Sequence, residues 1–542
     1  LTTADLAPTA KPAPATDPRP LSPPISRALS TIILVLLGAL LVDVLFEGWI
    51  QQLFGHAGPI DPKTLQPTWV LADWPKDVKS ALFLALLAFT LLKVAIDQSW
   101  RDFLTKAELA LAALGVIMVA SGLLGGSGLT LIGQALFVYF RGVIVFFAWR
   151  AVRPTMRQLK PIFYVVGAIA VVNATIAIVE SMLGYPIYKL LGWTDLTWAN
   201  INRAHALLNH PNHLGHFLMV IEIGLMAWFT TRDRISKKHW FLFGLLAWGM
   251  AATQSRESAI GFVLGIAVIW WLRRKPVRPL VFGLIVVVLF SGLQLVATPS
   301  NVGVLAKRIL GVFNAFQTPS GQETEGTSSR EIRVLFYQQG LGLYAKKPVL
   351  GYGVGQFGGT VAYQANPKWY EKFNFRLHGA KPDQVDSFWL HLLVETGALG
   401  FLAYLIWLFF LVAPMVRSRT RGPDVSPFVL WGPPVVVAAI LSAFLSPLLE
   451  DQLFPVLLFT VLGLGWSTLR RGDSADAIPA TLLAGPAHPV TALHRPAVLP
   501  AGVSDDHLTF TWRRKPTEKA GQDTDDRSAP GGAEPAGEHR GG

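Results

Sequence analysis

Hydrophobic residues in this chain are gathered into long runs, such as Thr31 to Leu45 (TIILVLLGALLVDVL) and Val281 to Leu293 (VFGLIVVVLFSGL). Runs near 20 residues match a bilayer core of about 30 Å crossed at 1.5 Å per residue. Twelve helical spans follow: 28–46, 80–97, 107–125, 128–149, 161–183, 208–230, 240–254, 257–272, 279–297, 387–414, 427–446 and 452–469. The predicted fold class is an all-α polytopic membrane protein of about 12 transmembrane helices.

Polar positions between the runs set the orientation. Arg101 and Lys106 follow the second run, and Arg150, Arg153, Arg157 and Lys160 the fourth. Arg232, Arg234, Lys237 and Lys238 follow the sixth, Arg273, Arg274, Lys275 and Arg278 the eighth, Arg417, Arg419 and Arg421 the tenth, and Arg470 and Arg471 the twelfth. Every even-numbered run thus leads into a positive loop, which places those loops and both termini in the cytoplasm. The opposite side receives Glu47 to Lys79, Gly184 to Leu207, and a long segment, 298–386, between helices 9 and 10. That length exceeds ordinary bundle connections. Its Tyr337, Tyr344, Tyr352, Phe357 and Trp369 predict order, in amphipathic helices over the outer face of the bundle.

Composition adds limits. The 542 residues are 51% hydrophobic and 15% charged, with a mean hydropathy of +0.42, against about 25% charged in an ordinary soluble domain. Cysteine is absent, so disulfides and thiolate chemistry are excluded. The formal charge of +12 sits in clusters between apolar runs, which argues for membrane lipid and against nucleic acid as a partner. Segments 1–26 and 471–542 read as disordered ends on a transmembrane domain spanning 27–470. The first run has no small-residue cleavage site and is followed by many others, so it reads as an anchor.

Four segments carry polar residues that a plain bundle does not need. The first runs from Asn202-Arg203 through Asn209-His210-Pro211-Asn212-His213 to Gly215-His216. Pro211 suits a first helical turn, and Gly215 allows another backbone or a lipid to approach closely. This is either an outer-leaflet site for a polar head group or a capped helix start with interfacial histidines. His210, His213 and His216 spread over about 120° of a helix, with no carboxylate beside them, so they do not form a zinc site. The second segment, Thr253 to Ser258, is a tight turn whose only basic residue is Arg256. Arg256 is a snorkelling anchor, a partner of Glu257, or a fork for an oxyanion.

The third segment holds Arg330, Glu331 and Arg333, then Lys347 to Phe357 with Gly351, Gly353 and Gly355. These glycines lack the βαβ frame of a dinucleotide site and read as a structural turn. The fourth runs from His378 through Asp386, Ser387 and His391 to Glu395, Gly397 and Gly400. Asp386 is either an N-cap or a catalytic group. Arg141, midway along the fourth run, is functional by default because burial of an unpaired charge costs several kcal/mol. The alternative is a pairing with Glu180, Glu222 or a backbone carbonyl.

Taken in order, these segments resemble the O-antigen ligase and polymerase superfamily of bacterial envelope glycan assembly. That pattern is an Arg, Asn-Pro-Asn before a helix, Ser-Arg at a hairpin, a long outer loop opening on Arg, a glycine turn ending in Phe, and a helix with Glu-x-Gly-x-x-Gly. The matching positions are Arg203, Asn209, Pro211, Asn212, Ser255-Arg256, Arg330, Pro348 to Phe357 and Asp386 to Gly400, within residues 160–470. The resemblance implies a GT-C-like bundle in the bacterial cytoplasmic membrane with its active face outside. It implies inverting transfer of a glycan from polyprenyl (undecaprenyl) diphosphate to an acceptor hydroxyl on a glycan, lipid or protein, with no metal or other cofactor. Arg203, Arg256, Arg330, Asn209, Asn212 and Arg141 would bind the donor, and Asp386 or His378 would take the hydroxyl proton. Arginines neutralise a diphosphate leaving group without Mg²⁺, and the outer loop is rich in them and in lysines: Lys307, Arg308, Arg330, Arg333, Lys346, Lys347, Lys368, Lys372, Arg376 and Lys381.

One departure bears on the acceptor. Lipid A–core ligases show His-Asn where this chain has Asp386-Ser387. That keeps polymerase and protein O-oligosaccharyltransferase readings open beside the ligase. A transporter predicts inverted repeats and broken helices at mid-membrane; no internal repeat is visible, and the polar residues gather at one face.

Overall fold

A computed structural model describes residues 24–60, 67–232, 234–274, 278–297, 329–375, 384–418 and 425–469. Segments 1–23 and 470–542, residues 298–328 of the long segment and His378 lie outside the described residues.

A helix occupies each of the twelve apolar runs. They are α1 (Pro24–Leu53), α2 (Trp74–Ile96), α3 (Lys106–Leu124), α4 (Leu129–Val152), α5 (Met156–Leu183), α8 (Pro211–Phe229), α9 (Lys237–Ala252), α10 (Arg256–Arg273), α11 (Arg278–Ala297), α15 (Phe388–Arg417), α16 (Pro427–Ser442) and α17 (Leu453–Thr468). Between them lie the short α6 (Tyr185–Leu190) and α7 (Thr197–Asn200), and the long segment contributes α12 (Ser329–Lys346), α13 (Thr360–Ala365) and α14 (Trp369–Lys372). One departure from an all-helical reading is a small antiparallel hairpin of β1 (His56–Ile60) and β2 (Pro67–Val70), with His56 opposite Val70.

Among the described residues, α1, α2, α3, α4, α5 and α15 are long and apolar enough to cross a membrane unaided. Five of the other six depart from that standard for physical reasons. Helices α8 and α10 carry the polar residues of the site described below, and α9, α16 and α17 run to 16 residues each. A 16-residue helix rises about 24 Å, short of the roughly 30 Å apolar core. The connection 443–452 between α16 and α17 carries Glu450 and Asp451, and Glu450 is buried.

Helix α8 is the centre, packed on α5, α9, α10, α16 and α17, while α15 packs on α3, α17 on α4 and α1 on α2. Its Phe217, Leu218, Met219 and Ile223 are fully buried in the main core. The long segment has an aromatic core of its own, in which Phe357 and Trp369 meet edge to face at 4.9 Å, with Phe336, Phe375 and Leu390 around them.

The glycine turn and the last helix form one unit. Helix α15 is broken at Gly397, whose φ of 64° and ψ of −169° are not helical. The break frees the carbonyls of Val394 and Glu395, which accept the amides of Tyr352 at 3.0 Å and Gly353 at 2.9 Å. Ser121 Oγ of α3 lies 2.7 Å from the carbonyls of both Leu350 and Glu395, which share its one proton. In return Ala398 N donates to Pro348 O at 2.8 Å. Non-helical backbone at membrane depth is tolerated where it is enclosed in protein and its polar groups are paired, as here. A Cβ on Gly351 would meet the Glu395 carbonyl at 2.5 Å, and one on Gly397 the Val349 carbonyl at 2.3 Å. The glycines of this turn thus serve close backbone packing.

Candidate active site

The polar segments meet at the end of the bundle that the charge pattern assigns to the outside. Glu180, buried near the end of α5, accepts the backbone amides of His205 at 2.9 Å and Ala206 at 2.8 Å, and Asn173 Oδ1 accepts that of Leu207 at 3.1 Å. These bonds fold the 201–210 loop back over the helix ends. Burial, against Tyr188 and Trp193, holds His205 down at about 4, so its ring is neutral and its Nδ1–H donates to Leu208 O at 2.6 Å.

The loop presents Arg203. Its Nη2 donates to Asn212 Oδ1 at 2.6 Å, its Nε donates to the Thr253 carbonyl at 3.1 Å, and its guanidinium stacks over Trp198 at 5.3 Å. The Asn-Pro-Asn segment and the α9–α10 turn are thereby brought together. Gly215 makes this approach possible: a Cβ there would lie 2.6 Å from Ser258 Oγ and 2.8 Å from Ser255 Cβ. The close neighbour that Gly215 admits is α10. Ser255 caps α10, and Arg256 stands exposed at its first turn. Glu257 faces His216, at 3.6 Å.

The three histidines do not converge. His210 Nδ1 accepts the Asn212 amide, His213 lies between Asn209 and Asp451, and His216 lies by Glu257. The expectation that no carboxylate sits beside them fails, because the fold delivers Asp451 and Glu257 from distant sequence. Among the described residues no group of three or more His, Asp or Glu side chains gathers as a metal site.

At the start of α15, Asp386 is half-buried and pairs with Arg333 of α12, Nε to Oδ2 at 2.9 Å. Burial works against the charge of Arg333, but the Asp386 carboxylate, with Glu257 behind it, outweighs that and raises its pKa. Asp386 is not the N-cap of α15. Ser387 is, accepting the Leu390 amide at 3.2 Å, with Tyr337 OH 2.8 Å from its hydroxyl. Arg330 falls in the first turn of α12, and its side chain, like His378, lies outside what is described.

Arg141 is 5% exposed and donates to the Glu450 carbonyl, within electrostatic reach of Asp451, Glu450 and Glu47. Of the expected partners it takes a backbone carbonyl, and neither Glu180 nor Glu222. It belongs to a buried polar belt that sequence reading passed over. Lys79 Nζ contacts both carboxylate oxygens of Glu47, at 2.8 and 2.9 Å, and also reaches Gln452. Glu450 lies 3.1 Å from His391 and accepts the Thr360 amide at 2.7 Å, while Glu395 accepts the Phe357 amide at 2.9 Å and the Tyr139 hydroxyl at 3.1 Å. A signal for the first of these was present: Glu450 and Asp451 are the only charged residues from Val425 to Leu469.

No curated protein matches the chain. A family model does, over residues 241–405, and its description is O-antigen ligase (Wzy_C). The matched stretch takes in the α9–α10 turn, the long segment, the glycine turn and the break at Gly397; Arg203, Asn212 and Asp451 lie beyond it. The likeness to the O-antigen ligase superfamily, read from the order of the motifs, is therefore shown over residues 241–405.

Proposed function

We propose that this chain transfers a glycan from a polyprenyl diphosphate to an acceptor hydroxyl at the outer face of the bacterial cytoplasmic membrane. The observation that carries the reading is the Arg203 clamp, beside the first turn of α8 and the α9–α10 turn. An arginine oriented by an amide and a carbonyl presents a planar fork whose geometry suits phosphate oxygens. The N-terminus of the 19-residue α8 adds the positive end of its helix dipole. Exposed Arg256 supplies a second cation at the rim.

Opposite that clamp, Asp386 takes the proton of the attacking hydroxyl. Its pairing with Arg333 keeps it oriented until the acceptor arrives. The acceptor hydroxyl attacks the anomeric carbon from one side as the diphosphate leaves from the other, giving inversion. Polymer, lipid and protein acceptors all present such a hydroxyl, and the product identifies which is used.

The test is reconstitution of the full chain in proteoliposomes with a polyprenyl-diphosphate oligosaccharide and each acceptor class. The expected result is acceptor glycosylation with release of polyprenyl diphosphate, reduced about 100-fold in Arg203→Lys, which keeps the charge and loses the fork. Wild-type turnover in Arg203→Lys removes the clamp, and no transfer by the wild type to any acceptor removes the transferase reading.

A further inference from the structure

His213 follows Asn212 in the first turn of α8, and both of its ring nitrogens face oxygens. Nε2 lies 3.0 Å from Asp451 Oδ2, and Nδ1 lies 2.7 Å from Asn209 Oδ1. Both neighbours are acceptors, so a ring that carries hydrogen on both nitrogens donates to each. Asp451 is held in turn: its Oδ1 accepts the Gln452 amide at 2.7 Å, and Arg141 lies within electrostatic reach behind it.

The two sides of the ring differ. Asp451 is enclosed, at 19% side-chain exposure, whereas Asn209 is exposed. The ring is thus closed on the carboxylate side and reachable at Nδ1. Asn212, the preceding residue, binds Arg203, and His210 lies within electrostatic reach of both Arg203 and His213. An anionic oxygen arriving at Arg203 is a stronger acceptor than an amide, and it can take the place of Asn209 at Nδ1.

We propose that His213, oriented by Asp451, donates a proton to the departing diphosphate; His213 is a catalytic residue and Asp451 a positioning residue. The proposal rests on the transferase reading above. The acceptor oxygen forms its bond to the anomeric carbon and gives its proton to Asp386. The bond from that carbon to the phosphate oxygen breaks, and its electron pair stays on that oxygen. The Nδ1 proton of His213 passes to the same oxygen. The ring is left neutral, still donating through Nε2–H to Asp451, and takes a proton from water before the next turnover. The charged and titratable groups around it are Asp451 on the 443–452 connection, Arg203 and His210 on the loop, His216 on α8, Glu257 on α10 and Arg141 on α4.

The experiment uses the full chain in proteoliposomes with a polyprenyl-diphosphate oligosaccharide as donor. His213→Gln should lower kcat about 100-fold and leave the donor KM within about threefold. His213→Ala should recover turnover on addition of imidazole, a response that a packing role does not give. Asp451→Asn, which keeps the shape, should lower kcat about tenfold, and added imidazole should not restore it. Wild-type kcat in His213→Gln overturns the proposal, as does a loss confined to KM, or a His213→Ala protein that imidazole leaves inactive. Should His213→Gln not accumulate, unchanged kcat in Asp451→Asn overturns it instead. A wild-type protein that transfers nothing refutes the transferase reading, whereas an active wild type with unaffected variants refutes only this step.

Discussion

Two regions of the molecule are held together in opposite ways. The 348–357 turn lies on the broken part of α15 through backbone amides and carbonyls, and its glycines exist to let the chains touch. The 201–213 loop reaches the α9–α10 turn and the 443–452 connection through long polar side chains: Arg203, Asn212, His213 and Asp451. Backbone packing tolerates almost no change of shape. Side-chain bonds at half-exposed positions can be rearranged at modest cost. The first region is therefore suited to holding a framework and the second to meeting a ligand.

The comparison breaks most sharply at Gly397. A Val there needs a positive φ and puts its Cβ against the Val349 carbonyl, so Gly397→Val should cost about 3 kcal/mol or more. The measure is loss of the monodisperse peak in detergent size exclusion. Gly342 on α12 meets nothing within 4 Å, and Gly342→Ala should instead stabilise by about 0.5 kcal/mol. Equal behaviour of the two would remove the close-packing account.

Acid should loosen the loop next. His205 titrates at about 4 in the fold and near 6.5 in an unfolded chain. Between those values the unfolded state binds a proton that the folded state does not, so stability falls as pH drops from about 6.5 towards 4. The loss is on the order of 2 kcal/mol at pH 5. Thermal unfolding at pH 7 and pH 5 should show it, with the difference reduced in His205→Gln.

The Arg333–Asp386 pair should contribute less to stability. Both side chains are about a third or more exposed, so a double-mutant cycle with Arg333→Gln and Asp386→Asn should give a coupling of about 0.5 kcal/mol. Asp386→Asn alone should nevertheless abolish transfer. The smallest stability effect belongs to Arg256→Lys, within about 0.5 kcal/mol, while transfer falls at least tenfold if the rim cation binds phosphate as a fork. An unchanged rate would confine donor recognition to Arg203.

Much of the framework was legible in the sequence because apolar runs have one purpose. Each of the twelve runs is a helix, and the order within Gly351, Gly353 and Gly355 already read as a turn. The hairpin at 56–70 was not, since HAGPI and PTWV carry no alternating pattern. At the candidate site, motif singled out Arg203, Asn212 and Asp386 but not their partners. Glu180 reaches His205, Asp451 reaches His213 and Arg333 reaches Asp386 across 25 or more residues. Such pairings depend on how helices cross, and local pattern says nothing of that. Ser387 was within reach: it directly precedes the apolar run and is a good N-cap, but the carboxylate beside it drew the reading instead.

The break at Gly397 also fixes where this molecule can be cut and recombined. The first turns of α15 belong by their hydrogen bonds to the 348–357 turn and to Ser121. A graft of the long segment that stops at Asp386 would separate donor from acceptor at each backbone bond between the turn and α15. Residues 348–400 form the modular block, and exchange between homologues should proceed with that block whole and with a hydroxyl residue retained at position 121.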